Sequence, residues 1–252
     1  MSTTAHYVPG ADAAPEAPMR GFFARAVDVL LSPGRVMAEL AGASRPPWAG
    51  PAFLAAGVMA ALTVLTLVLV PRDELARFIF EQATRNGNPR GLTVEQMQPM
   101  IPIQMAGGAV AVVAWAFLRV FLIGAVLLLA FTTVGGGSAR FAHYRAVVSH
   151  AGIVSLVGFV AEWALRLFSG KLDLALNLSI LAPGMDEKGL AFVFLRSLNI
   201  FTLWAFVVVG IGVSAANRRK WTGATFALLT VLMLAFAAVG WAIGSAMAGG
   251  AS

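Results

Sequence analysis

Long runs of apolar residues without a charge are the feature of this sequence that most restricts its fold. Residues 50–70 contain no ionisable side chain, and four further segments are nearly as apolar. Only 12% of the 252 residues are charged and 59% are hydrophobic, whereas a soluble domain carries about 25% charge. Because so few polar groups could not cover the apolar surface in water, the chain is an integral membrane protein. This excludes a soluble enzyme, a nucleic-acid-binding protein and a disordered scaffold.

Five segments are long and apolar enough to cross a bilayer, which needs about 20 residues in a helix. The second apolar run is too long for one perpendicular helix, so we expect its earlier turns to project and 114–134 to form the bilayer portion. The predicted fold is an all-α, polytopic membrane protein with a bundle of five transmembrane helices. The predicted spans are 50–70, 107–134, 146–168, 197–216 and 222–247.

The sequence before the first span divides into two parts. Residues 1–20 are small and polar, with several prolines, and we predict a disordered tail. In residues 21–47 apolar side chains recur at helical spacing, with Arg25 and Asp28 on the other side. The pair Ser32-Pro33 divides residues 21–47 into two helical pieces. Both pieces are too short and too charged to span, so we predict amphipathic interfacial helices along the membrane surface. The membrane domain then covers residues 48–248.

The distribution of charge between the loops predicts the orientation. The short loops 135–145 and 217–221 contain Arg or Lys but no Asp or Glu. Acidic residues balance or outnumber the basic ones in the loops on the opposite side. Basic residues are retained on the cytoplasmic side, so we expect a cytoplasmic amino terminus and an external carboxyl terminus in the inner cell membrane. The net charge of +6 therefore marks the cytoplasmic loops and indicates no nucleic-acid partner.

Three short motifs occur in order along these segments. The pair Ser32-Pro33 interrupts the amphipathic stretch, and a Gly-rich turn ending in Phe, 135–141, joins the second and third spans. The fourth span opens with Leu-Asn-Ile-Phe-Thr-Leu-Trp at 198–204 and continues to two close glycines. Over about residues 22–245 this arrangement resembles bacterial members of the Yip1 domain family. One departure is Ser155, since family members often have Pro within the third span.

The resemblance implies a five-span α-helical protein with a cytoplasmic amino terminus, in agreement with the loop charges. For eukaryotic relatives it implies roles in vesicle trafficking and binding of Rab-type GTPases. We do not extend that binding to this chain, because its composition rich in Ala, Gly and Arg looks bacterial. For bacterial members the resemblance implies a fold more than an activity.

Three charged side chains within the spans form a candidate intramembrane polar cluster. Arg119 lies about 22 Å before Val134, and Glu162 lies about 24 Å beyond Ala146, at 1.5 Å per helical residue. If the two spans meet at one edge of the bilayer, both side chains reach a similar depth. We therefore expect Arg119 to pair with Glu162, with Arg166 sharing the carboxylate. The alternative is that both arginines extend outward and Glu162 meets only Arg166, at i+4.

Glycines within the last two spans are candidate helix-packing positions. Gly240 and Gly244 form a GxxxG step in the fifth span, and Gly210 and Gly212 lie in the fourth. Small residues let membrane helices approach closely. We expect this packing to lie inside one protomer, and a dimer face is the alternative.

The sequence contains no motif that indicates catalysis. It has no HExxH, no CxxC and no P-loop lysine motif, and its cysteine count is zero. We therefore predict no catalytic, cofactor-binding or metal-ligating residues. The leading hypothesis is a non-enzymatic interaction or membrane-organising protein whose partners are the lipid bilayer and a membrane protein or a second copy. The alternative is a transporter of small solutes or ions that uses the Arg119–Glu162 region.

Cysteines introduced at Gly240 and Gly244 test the predicted internal packing. Since the chain has no cysteine of its own, each variant carries one reactive site. We expect no disulfide between protomers after oxidation of native membranes, measured on a non-reducing gel. A cross-linked dimer at either position would show that these glycines form a dimer face.

Overall fold

The computed structural model describes residues 19–85, 93–172, 174–186 and 189–219, together with part of 223–238. These residues are helical or lie in turns and connections, with no strand among them, so the all-α prediction is confirmed for this part of the chain. The helices in chain order are α1 (Phe22–Leu31), α2 (Pro33–Gly42), α3 (Ala49–Leu69), α4 (Arg72–Arg85), α5 (Val94–Met97), α6 (Ile101–Leu127), α7 (Phe141–Ser169), α8 (Leu190–Ser197) and α9 (Ile200–Ala216).

Three predicted spans have counterparts that are long and apolar enough to cross a membrane. They are α3, the continuous helical stretch Val94–Val134 that contains α6, and α7. The stretch Val94–Val134 has 41 residues and therefore rises about 60 Å, roughly twice the hydrocarbon thickness of a bilayer. A helical stretch of this length must project beyond the membrane, and the sequence predicts that its earlier turns do so. The last seven residues, Leu128–Val134, are wound as a π-helix.

The fourth predicted span, 197–216, coincides with the second member of a bent pair of helices and with the break before it. Helix α9 begins only at Ile200, and α8 precedes it at an angle of 80°. The bend has a local cause, because the Asn199 side chain accepts a hydrogen bond of 2.7 Å from the backbone N–H of Thr202 and caps α9. The fifth predicted span, 222–247, lies largely outside the described residues, as do Gly240 and Gly244. The count of five spans therefore stays a prediction.

The two amphipathic helices before the first span are present, as the sequence predicts. Pro33 occupies the first position of α2, where its missing N–H breaks no helical hydrogen bond. Their buried residues pack against α7 and α9 in one core cluster, so one face of this pair lies on protein. The core residues that α1 and α2 contribute are Ala26, Val29, Val36, Met37 and Leu40.

Two short basic loops meet at one end of the bundle. Asn217, just after α9, donates a hydrogen bond of 2.9 Å to the Tyr144 hydroxyl on α7. The guanidinium of Arg219 donates bonds of 2.9 Å to the carbonyl oxygens of Gly135 and Gly136. The connections that follow α6 and α9 are therefore fastened to each other and to α7.

Helix α9 approaches α7 and α2 most closely at a glycine. A Cβ atom placed on Gly212 would lie 2.5 Å from Cγ1 of Val147 and 2.8 Å from the Met37 sulfur. The other glycine of the predicted pair, Gly210, is also buried on α9. At the far end of the same contact, a Cβ on Gly158 of α7 would lie 2.7 Å from the Phe201 side chain. The α7–α9 contact therefore depends on glycine on both helices.

Gly212→Ala is expected to lower the stability of the bundle by about 1–3 kcal/mol, the usual cost of overpacking a filled core. The added methyl group meets the branched side chain of Val147, which has little freedom to move. Gly57→Ala is the matched control, because a Cβ there meets nothing within 4 Å. We expect Gly57→Ala to be neutral or stabilising in the same unfolding assay. Equal effects of the two substitutions would contradict the close contact.

Candidate functional site

Arg119 lies on α6 and points towards a glycine on α7. A Cβ atom placed on Gly152 would lie 3.1 Å from Nη2 of Arg119. The Arg119 Nε atom is buried and has no hydrogen-bond partner within the described residues. The guanidinium therefore occupies the space that the absent side chain of Gly152 leaves free.

Glu162 forms an ion pair with Arg166, one turn further along α7. Arg166 also donates a hydrogen bond of 2.7 Å from Nε to the carbonyl oxygen of Leu174, beyond the end of the helix. Arg119 faces Gly152, which is ten residues or about 15 Å from Glu162 along α7. The expected contact between Arg119 and Glu162 is not formed, and the i+4 alternative describes the arrangement.

The relative position of α6 and α7 explains this difference. A Cβ atom on Gly124 of α6 would lie 3.2 Å from the Phe141 ring and 3.4 Å from Cγ of Arg145. Gly124 is therefore level with the first turns of α7, and the ten residues from Gly124 to Val134 rise about a further 15 Å. Near the end of these turns, Thr132 donates a hydrogen bond of 3.0 Å to the carbonyl oxygen of Ala139, just before α7. The sequence argument placed Val134 level with Ala146, whereas in the structure Gly124 lies level with Arg145, so Arg119 faces Gly152 and not Glu162.

A cavity of about 270 Å³ lies beside Arg119. It is bounded by α6, α7, α9 and two leucines of the later segment. Its only ionisable lining residue within the described part of the chain is Arg119, and Ser155 and Thr202 contribute hydroxyl groups. The remaining lining residues are apolar or glycine: Ile123, Val126, Leu127, Val148, Ala151, Gly152, Ala205, Phe206, Val209, Leu229 and Leu232.

Arg145, which the sequence assigns to a loop, lies on α7 within a cage of three aromatic rings. Its guanidinium carbon is 5.0 Å from the centroid of Trp48, 5.3 Å from that of Phe121 and 5.1 Å from that of Phe141. Ring faces attract a cation without a carboxylate. The residues of this cage come from distant segments, so no sequence spacing could have indicated it.

A second, smaller cavity of about 130 Å³ lies towards the other end of α7. Trp163 donates a hydrogen bond of 2.9 Å from Nε1 to the hydroxyl oxygen of Thr66 on α3 at this position. Arg166 lines the same cavity, and its guanidinium is occupied by Glu162 and a carbonyl oxygen. This cavity therefore offers no unpaired charge.

The described residues contain no group of three or more His, Asp or Glu side chains that could hold a metal ion. The two histidines of α7 make separate local contacts. Nδ1 of His143 accepts a hydrogen bond of 3.3 Å from the Arg140 N–H, and Nδ1 of His150 lies 2.8 Å from the carbonyl oxygen of Ala146.

Three apolar helices of spanning length, joined into one bundle, define a multi-pass α-helical membrane protein. The family model of the Yip1 domain matches residues 27–243, which is most of the chain. The protein therefore belongs to the Yip1 domain family, as the motifs in its sequence indicate. No curated protein and no solved structure matches the chain.

A double-mutant cycle on the free energy of unfolding tests the observed pairing. We expect Glu162→Ala and Arg166→Ala to be non-additive, because the two side chains share an ion pair. We expect Glu162→Ala and Arg119→Ala to add within about 0.5 kcal/mol, as distant sites do. A coupling above that value between Arg119 and Glu162 would restore the pair that the sequence predicts.

Proposed function

We propose that this protein is non-enzymatic and acts at the membrane surface, through the bilayer and other membrane proteins, by means of its amino-terminal helix pair. The observation that carries this proposal is an exposed apolar stripe on α1, formed by Phe23, Val27 and Leu31. Their exposed fractions are 77%, 55% and 76%, whereas Val29 on the opposite side of α1 is fully buried. Helix α1 therefore has a second apolar face that the described bundle leaves uncovered.

The stripe belongs to a helix pair that is fixed to the bundle. Arg20 forms ion pairs with Asp28 of α1 and Glu39 of α2, so one arginine ties the two helices together. Met37 of α2 packs against Gly212 of α9, where the two helices approach closely. This attachment favours a helix pair that acts as a wedge in the bilayer at a fixed height, and not one that moves freely relative to the bundle.

The length of α3 supports a position for this wedge at the bilayer boundary. The Ser149 hydroxyl on α7 donates a hydrogen bond to the carbonyl oxygen of Trp48, directly before α3. Helix α3 has 21 residues and rises about 31 Å, close to the hydrocarbon thickness. One boundary then lies near Trp48, beside the part of α7 against which α1 and α2 pack. An amphipathic helix at this height places its apolar face among the headgroups.

The charges at this end of the bundle favour the cytoplasmic side of a bacterial inner membrane. The connections after α6 and α9, which carry Arg140, Arg218 and Arg219, meet here. Basic residues are retained on the cytoplasmic side of a membrane, so the amino-terminal helices would face the cytoplasm.

The transporter alternative has no observation in its favour. It depends on an intramembrane site that combines Arg119 and Glu162, and these side chains face different parts of α7. Arg119 and Arg166 line separate cavities. We therefore retain only the interaction and membrane-organising role.

Single cysteines labelled with a fluorophore test whether the stripe touches lipid. In liposomes that contain brominated phospholipid, we expect quenching at Val27→Cys, because this position lies on the exposed apolar stripe. The control is Arg35→Cys on α2, where the native side chain is 66% exposed and charged. Quenching limited to Val27→Cys supports the proposal. Equal, weak quenching at both positions would contradict contact of the stripe with the bilayer.

The double variant Phe23→Ser, Val27→Ser tests the membrane-organising role itself. Both positions are largely exposed, so we expect the fold to be retained, as measured by helical circular dichroism. We expect the wild-type protein to increase the proportion of small, strongly curved vesicles in electron micrographs, and the double variant to lose most of this effect. No effect of the wild-type protein on vesicles, together with ion or solute flux, would favour the transporter.

A further inference from the structure

We infer that the cavity beside Arg119 binds a single-chain anionic amphiphile, with its carboxylate at the Arg119 guanidinium and its chain among the apolar lining residues. This site is separate from the exposed stripe of α1, and the inference does not rest on the proposed function. It rests on an arginine whose buried Nε has no hydrogen-bond partner among the described residues, on two hydroxyl groups that line the same cavity, and on the size of that cavity.

No carboxylate of the described residues pairs with Arg119. The one described carboxylate expected to pair with it, that of Glu162, is bound to Arg166. Nε of Arg119 is buried without a hydrogen-bond partner, although an arginine within a membrane helix normally has a partner or reaches water. A ligand carboxylate would accept hydrogen bonds from this planar group in the geometry that arginine favours.

The surroundings of Arg119 favour an oxygen anion. Ser155 of α7 and Thr202 of α9 line the same cavity, and their hydroxyl groups can donate to carboxylate oxygens. Gly152 has no side chain, so the Arg119 guanidinium can lie against α7 at the wall of this cavity. Two helices thus contribute hydroxyl donors to the cavity, and a third contributes the cation.

The remainder of the cavity indicates what kind of molecule the anionic group belongs to. Its other lining residues are apolar, so the ligand needs an apolar body to displace water from them. The volume of about 270 Å³ is below the range of roughly 300–1,000 Å³ typical of sites for drug-sized molecules. This volume suits one acyl chain, which is why we infer a single-chain ligand.

Arg145 provides an internal comparison. It is also a cation on the α6–α7 contact with a buried Nε that lacks a hydrogen bond. Three aromatic rings surround its guanidinium at 5.0–5.3 Å, and it does not line the cavity. The two arginines differ in that one is satisfied by ring faces and the other faces open space.

The test uses the full-length protein in nanodiscs of zwitterionic phospholipid. The probes are dodecanoate, dodecanol and dodecyltrimethylammonium, which share a chain and differ in charge. We expect dodecanoate to raise the melting temperature and to bind at least about tenfold more tightly than dodecanol, the factor that one charge-assisted hydrogen bond supplies. Dodecyltrimethylammonium should bind no better than dodecanol. Equal binding of dodecanoate and dodecanol would overturn the inference.

Three variants assign the binding to this cavity. Arg119→Gln should reduce the affinity for dodecanoate to that for dodecanol, and the matched control Arg35→Gln, at an exposed arginine, should leave it unchanged. Ser155→Phe keeps the cation but fills the cavity, so it should also abolish dodecanoate binding. This variant replaces Arg119→Gln as the test if Arg119→Gln does not fold. Dodecanoate binding that survives in a folded Arg119→Gln or Ser155→Phe variant would overturn the inference.

Discussion

The rest of the structure depends on the relative height of α3 and α7. Two contacts set this height: the Ser149 hydroxyl bound to the carbonyl of Trp48, and the Trp163 indole bound to the hydroxyl of Thr66. They lie near opposite ends of α3 and align it with α7 from Ser149 onwards. The first turns of α7 then extend beyond α3, and the amino-terminal helices and the end of α6 pack around that extension.

Much of the fold could be predicted from the sequence, because apolar runs of spanning length determine where the long helices form. The pair Ser32-Pro33 likewise predicts the break between α1 and α2. The heights of the helices could not be predicted, since they depend on contacts such as Gly124 against Phe141, between residues on different helices. The 80° bend before Ile200 was not predicted either, because hydropathy does not distinguish a straight span from a broken one.

In the candidate site, too, one feature could be predicted from the sequence and another could not. The ion pair between Glu162 and Arg166 follows from their spacing on one helix, and the sequence offered it as an alternative. The position of Arg119 depends on which residue of α7 lies opposite, and that residue is a glycine with no chemical signal of its own. The position of Arg119 at the wall of a largely apolar cavity is visible only once three helices are assembled.

The most direct test of this account is the depth of Val134, the last residue of the helical stretch Val94–Val134. Val134 lies about 20 Å past Phe121, the residue whose ring contacts Trp48 at the inferred boundary. Val134 and Leu118 are both exposed on the bundle, at 80% and 55%, so packing does not hide either one. In opened proteoliposomes, a membrane-impermeant maleimide should label Val134→Cys and leave Leu118→Cys unlabelled. Protection of both cysteines would contradict the account and place the boundary at or beyond Val134.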